Sequence, residues 1–139
     1  MNVKKRSSGF SLIELVITLA ILTVLTSISY PSYNQHFENV RKTSAQGDLI
    51  ELSAFMTRYY SENYSYQTAS DGNPTLPMTE SPSQGTKYYN LTVVAQDQSY
   101  VLTATPKNGQ GSDRCGTLTV NHSGVKTAKK NGVIVEGCW

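Results

Sequence analysis

The sequence predicts an α+β chain: a long N-terminal helix, its first half suited to a membrane and its second half amphipathic, packed on an antiparallel sheet of about four strands. Three observations predict it. An apolar run of membrane length opens the chain, a stretch with helical spacing follows, and the second half alternates aromatic and β-branched residues with turn signals. Of the 139 residues, about 100 remain beyond a membrane segment, enough for one small domain with one core. The expected organisation is a basic leader over 1–9, a transmembrane helix over 10–30, an amphipathic helix over 31–61, and a loop and sheet over 62–139.

The apolar run from Phe10 to Tyr30 reads FSLIELVITLAILTVLTSISY and contains one charge, Glu14. At about 1.5 Å per residue it spans a hydrocarbon layer about 30 Å thick. A cleaved secretory signal has a shorter apolar region and a small-residue cut site, whereas Pro31 and Tyr33 follow here. Lys4, Lys5 and Arg6 precede the run, which predicts a cytoplasmic N-terminus and a C-terminal domain on the far side of the membrane. A carboxylate inside a bilayer is costly unless neutralised, so Glu14 either snorkels to the interface or pairs with a cation. If the chain is cut just before Phe10, the new amino group lies about a turn from Glu14, and another subunit's terminus is a candidate partner.

Pro31 lacks an amide hydrogen and predicts a kink just beyond the apolar run. Past it, Ala45, Leu49, Leu52, Met56 and Tyr59 recur at spacings of three or four, which predicts an amphipathic helix from about Tyr33 to Ser61 with one face on a sheet. Between Ser61 and Gly85 the chain is rich in Ser, Asn, Thr, Pro and Gly and reads as a connecting loop. Tyr88 to Val94 and Tyr100 to Thr105 read as two strands joined by a turn at Gln96 to Gln98. Leu118 and Val120 suggest another strand, which turns at Asn121 to Gly124 and returns through Val125, and Val133 to Val135 a short last one.

Two cysteines, Cys115 and Cys138, are too few and too far apart for a zinc or redox motif. They fit one disulfide closing a loop of about 24 residues, which stabilises a small domain by about 2 to 4 kcal/mol and implies an oxidising compartment. The formal charge is +2, but without Lys4, Lys5 and Arg6 nine basic residues face ten acidic ones. That balance gives no support to nucleic-acid binding.

At the N-terminus Gly9, Phe10, Ser11, Leu12, Ile13, Glu14 and Leu15 resemble the prepilin signature, a short basic leader ending in Gly before Phe, a hydroxyl residue, Leu, Ile and Glu. The resemblance implies cleavage after Gly9 by a prepilin peptidase, N-methylation of Phe10, and pairing of Glu14 with the amino terminus of a neighbouring subunit during assembly. Farther on, Tyr30 to Tyr33, Arg58 to Tyr60, Tyr100 to Pro106 and the stretch from Cys115 to Trp139 look like PilE-type minor pilins of the type IVa pilus. This implies a precursor held in the bacterial inner membrane with its C-terminal domain in the periplasm, then a place in an extracellular filament. The implied partners are other pilin subunits through their N-terminal helices, the prepilin peptidase, the inner-membrane assembly platform and the membrane itself. Motility, adhesion and natural transformation are the implied pilus functions.

Catalysis, cofactors and metals find no pattern to rest on. His36 and His122 stand apart from any cluster of acids or thiols, and Asp97 and Asp113 do not match a calcium loop. Asn90–Leu91–Thr92 and Asn121–His122–Ser123 match a glycosylation sequon by a pattern too short to carry weight. Tyr59, Tyr60, Tyr64 and Tyr66 read as packing under the following loop, with a contact surface as the alternative. Two rivals to a pilus subunit remain: a type II secretion pseudopilin, and a binding module for DNA or surfaces. A shared patch of Lys87, Lys107, Lys126, Lys129 and Lys130 with aromatics would favour the second rival.

Overall fold

The computed structural model describes residues 9–70 and 72–139, without the side chains of 28–32. Two compact units divide the chain after His36. Helix α1, Leu12–Asn63, contributes to both.

In the first unit the apolar side chains face outward, with Leu12 82% and Leu25 57% exposed. The polar side chains there bond inward to the helix. Thr18, Thr23 and Ser27 donate to the carbonyls of Leu15, Ala20 and Val24, and Thr26 donates to those of Leu22 and Thr23. Such back-bonding satisfies hydroxyls without water, as an apolar environment requires. Glu14 lies in the first helical turn, where the helix dipole favours an acid. Among the described residues no helix is long and apolar enough to cross a membrane. The anchor over 10–30 therefore remains an expectation of the sequence. Residues 1–8 of the leader and the Pro31 side chain lie outside the described residues, while the backbone of α1 runs through Pro31 as helix.

The second unit, Phe37–Trp139, is the folded domain. Its sheet has six strands in sequence order: β1 Glu80–Ser81, β2 Tyr89–Gln96, β3 Ser99–Pro106, β4 Thr117–Asn121, β5 Lys126–Lys130 and β6 Val133–Ile134. Every neighbouring pair is antiparallel. Gln96 pairs with Ser99, leaving Asp97 and Gln98 as a two-residue turn. One face packs inward by strict alternation: Tyr89, Leu91, Val93 and Ala95 from β2, Tyr100, Leu102 and Ala104 from β3, Leu118 and Val120 from β4, and Ala128 from β5 are all buried. They share one core with Ala45, Leu49, Leu52 and Met56 of α1, each fully buried. Tyr59, the next residue of the predicted stripe, is half-buried.

The expected sheet of about four strands is thus corrected to six. The undercount arises at the β1 edge, which is two residues inside a Ser- and Pro-rich segment that reads as a connecting loop. The strand expected to return through Val125 is β5, an interior strand over Lys126–Lys130 with only Ala128 buried. A strand of two residues carries no alternation that would mark it in sequence.

Candidate functional site

The loop from Lys107 to Gly116 gathers side chains that are distant in sequence. Its chain reversal needs left-handed backbone at Asn108 and Gly109 before a 3₁₀ turn at Gln110–Ser112. Buried Gln110 donates from Nε2 to the Glu38 carbonyl at 2.9 Å, and Ser112 Oγ donates to Glu38 Oε1 at 2.6 Å. Asp113 is buried as well. Its carboxylate accepts from Tyr89 Oη at 3.3 Å and from the Cys115 amide at 3.2 Å. Burial and then the Asp113 charge push the Tyr89 phenol well above its ordinary range.

Cys115 and Cys138 are joined in a disulfide with Cα atoms 5.7 Å apart. The bridge ties the C-terminal tail to this loop, where Gln46 Nε2 donates to the Cys138 carbonyl and Trp139 Nε1 to the Thr127 carbonyl.

Six cations make contacts around the loop, Arg41, Lys42, Lys87, Lys107, Arg114 and Lys130, and the backbone of Lys129 adjoins Gly116. Neutral acceptors hold most of the bonded ones. Lys87 Nζ donates to the Pro82 and Ser83 carbonyls at 2.8 and 2.6 Å. Lys130 Nζ donates to the carbonyls of Gly111 and Asp113, and Arg114 to that of Gly137 at 3.2 Å. Lys42 Nζ donates to Asn39 Oδ1 at 3.1 Å and lies 3.5 Å from Cys115 Sγ, while the Arg41 guanidinium sits 3.8 Å above the Tyr88 ring. Among the described residues only Lys107 forms a salt bridge here, to Glu80, whose carboxyl is held below its ordinary value chiefly by the Lys107 hydrogen bond and also by the charges of Lys107 and Lys87. A cation fixed by a carbonyl keeps its full charge and has already lost its side-chain freedom. This end of the sheet therefore carries oriented cations beside the carboxylates of Glu38, Glu80 and Asp113.

Of the five lysines proposed as a patch, Lys87, Lys107, Lys129 and Lys130 come together at this end. Lys126 stands at the far end of β5 with Nζ 5.3 Å from the Trp139 ring. A net count of charge does not register where the charges stand, so the grouping is visible only in the structure. Arg41, Lys42 and Arg114 were missed outright. Lys42 is 73 positions from the cysteine it approaches, and no local pattern signals such a contact.

The remaining candidates lie elsewhere. Gly9 and Phe10 are exposed ahead of α1, with Phe10 77% exposed. The Glu14 carboxylate has no partner among the described residues. Asp97 sits in the β2–β3 turn and Asp113 in the buried loop, so the two do not converge. His122 meets Tyr100 edge-on at 6.5 Å. Among the described residues no group of three or more His, Cys, Asp or Glu is placed to hold a metal ion. Tyr66 packs between Tyr60 and Tyr100 at 4.6 and 4.8 Å, whereas Tyr64 points to solvent.

Comparison with known proteins locates two family matches. A family described as type IV minor pilin ComP, DNA uptake sequence receptor, matches residues 31–119, and the prokaryotic N-terminal methylation motif matches residues 4–30. Type II secretion system core protein G of Pseudomonas aeruginosa is 28% identical over 69 residues, covering 50% of this chain and 49% of the relative. The Escherichia coli protein of the same name is 29% identical over 83 residues, covering 55% and 57%. The chain spans about half the length of the curated relatives it matches. Among solved structures, a type IV pilin from Shewanella oneidensis superposes with a TM-score of 0.51 at 28% identity, covering 73% of this chain and 97% of that one. The non-core minor pilin PilV of Neisseria meningitidis does so at 0.53 and 20% identity, covering 71% and 93%, a likeness of fold alone.

Proposed function

Because the chain belongs to the family described as type IV minor pilin ComP, DNA uptake sequence receptor, we propose that it is a minor subunit of a type IV pilus whose folded domain binds DNA at its basic end. As a member of the pilin and pseudopilin superfamily it is a structural subunit and not an enzyme. The observation that carries the DNA reading is the set of cations around the Lys107–Gly116 loop that bond to carbonyls or stand over a ring: Lys87, Arg114, Lys130 and Arg41. Phosphates spaced along a backbone match such a set, and their binding releases counterions.

The N-terminal segment serves assembly in this reading. Prepilin peptidase cuts after Gly9, Phe10 is methylated, and the apolar helix over 10–30 holds the precursor in the inner membrane until the platform transfers it to the filament. The exposed apolar side chains of Leu12 to Leu25 then pack against those of other subunits. Glu14 neutralises a neighbour's N-terminal amine. Glu14→Ala is expected to leave insertion intact and to lower the ratio of mutant to wild-type subunit in sheared pili, at matched inner-membrane levels.

The names of the core protein G relatives support a second reading, a type II secretion pseudopilin. A deletion strain separates the two: loss of transformation with protein secretion intact supports the pilus role, and the reverse supports the pseudopilin. DNA binding is tested with the full chain in detergent, by titrating duplex DNA across salt concentrations. The affinity is expected to fall with a log–log slope of about −0.9 for each phosphate neutralised. Changing Lys87, Arg114 and Lys129 together to Ala should reduce the magnitude of that slope by about 2 to 3. An unchanged slope rejects the basic end as the site.

A further inference from the structure

The face of α1 turned away from the sheet is left uncovered in the folded domain. Val40, Gly47, Ile50, Glu51, Ala54 and Arg58 lie on it, opposite the buried Ala45, Leu49, Leu52 and Met56, and all six are exposed. Val40, Gly47 and Ala54 recur every seven positions, the spacing that keeps one seam of a helix against a parallel neighbour. Glycine weakens a helix interior relative to alanine, and a Cβ at Gly47 would meet nothing within 4 Å, so no contact inside the chain requires it. On an open helix face a glycine instead lets a second backbone come close.

Beside this seam lies an open groove of about 450 Å³, lined by Glu51, Ala54, Phe55, Arg58 and Pro77. Apolar side chains occupy its middle, and opposite charges flank them along the helix. Glu51 has no partner among the described residues, and Arg58 reaches only Glu62, at 3.8 Å and well exposed to solvent, a pair too weak to hold it. Those charges decide how a second copy fits. Two parallel helices in the same register set Glu51 against Glu51 and Arg58 against Arg58, which repel. A slide of seven residues, about 10.5 Å, sets Arg58 of one copy beside Glu51 of the next. The same slide lays Ala54 against Gly47, so the smallest side chains meet where the backbones are closest, and brings the half-exposed Ile50 of the next copy level with Thr57, beside the groove. Such a contact is heterologous and repeats along a row of subunits without closing.

We propose that this face seats a second copy of the chain, packed parallel and displaced by seven residues, with Arg58 paired to the neighbour's Glu51. This arrangement rests on the reading of the chain as a filament subunit, whose membrane segment keeps neighbours parallel. It gives the folded half of α1 a contact separate from that of Leu12 to Leu25.

The test places the full chain in lipid vesicles and mixes two variants, Ala54→Cys and Gly47→Cys, under a mild oxidant that leaves the Cys115–Cys138 bridge intact. Vesicles need no pilus machinery, so the result is separate from the deletion phenotype that tests the filament reading. A disulfide between the two variants is expected, and little from either variant alone. Arg58→Glu added to the Ala54→Cys chain, or Glu51→Arg added to the Gly47→Cys chain, should each lower the yield by about threefold or more. Both changes together should restore it, which neither misfolding nor random collision would do. The arrangement is overturned if no cross-link forms, or if the paired charge changes fail to restore the yield. It is equally overturned if Ala54→Cys cross-links to itself as readily as to Gly47→Cys, as an unshifted or antiparallel pair would.

Discussion

The two ends of the sheet are built from the same strands and have opposite chemistry. Where β2 begins and β3 ends, the loop to Gly116 holds cations on neutral acceptors around a disulfide. Where β2 ends and β3 begins, the turn meets the end of α1 with tyrosines, amides and Asp97. At the first end order is achieved by a covalent bridge and buried polar bonds, and the surplus is charge. At the second it is achieved by ring packing, and the surplus is hydrogen-bonding capacity. An almost balanced net charge thus conceals a polar molecule.

Breaking the bridge should have the largest effect. Replacing Cys115 and Cys138 by Ser is expected to cost about 2 to 4 kcal/mol in denaturant unfolding. In the fraction still folded, DNA affinity should drop while the Tyr60–Tyr66–Tyr100 packing persists, as near-ultraviolet dichroism would record. Loss of both signals together would mean that the ends are not independent.

Gly116→Ala comes next. This glycine is left-handed at φ 60, and a Cβ there would overlap the Lys129 carbonyl oxygen. The backbone of β5 must shift, at a cost of about 2 kcal/mol, and the shift displaces Lys129 and Lys130. Weaker DNA binding with unchanged Tyr66 packing would sharpen the contrast.

The reciprocal change is Tyr66→Ala, which removes the ring between Tyr60 and Tyr100 and should cost about 1 to 2 kcal/mol. DNA affinity should stay as in the parent. A parallel fall in affinity would show that order at one end depends on the other.

The smallest effect concerns Glu80. Its folded pKa lies below the ordinary 4.5 because of Lys107, so the stability it contributes is present above that value and is lost as pH falls through the folded pKa. Melting curves from neutral to acid pH should therefore decline slightly more for the parent than for Glu80→Gln. Removing the acid also frees the charge of Lys107, so Glu80→Gln should bind DNA slightly more tightly, by less than about threefold.

By itself the sequence determined the helix face, the two hairpins and the N-terminal signature. Ala45, Leu49, Leu52 and Met56 lie one face of a helix apart, and β2 and β3 alternate without interruption. These are local periodicities, and a repeat within one element is visible in one dimension. The signature from Gly9 to Glu14 is equally local. Only the tertiary structure decided which cations stand together. Antiparallel register carries Lys129 and Lys130 to the same end as Lys87 and Lys107, and packing of α1 on the sheet brings Arg41 and Lys42 to Tyr88 and Cys115. It also decided that Tyr66 would be packed and Tyr64 exposed, two residues apart with no difference in type. Contacts across 70 positions are set by closure of the chain around a core, and no local propensity encodes them.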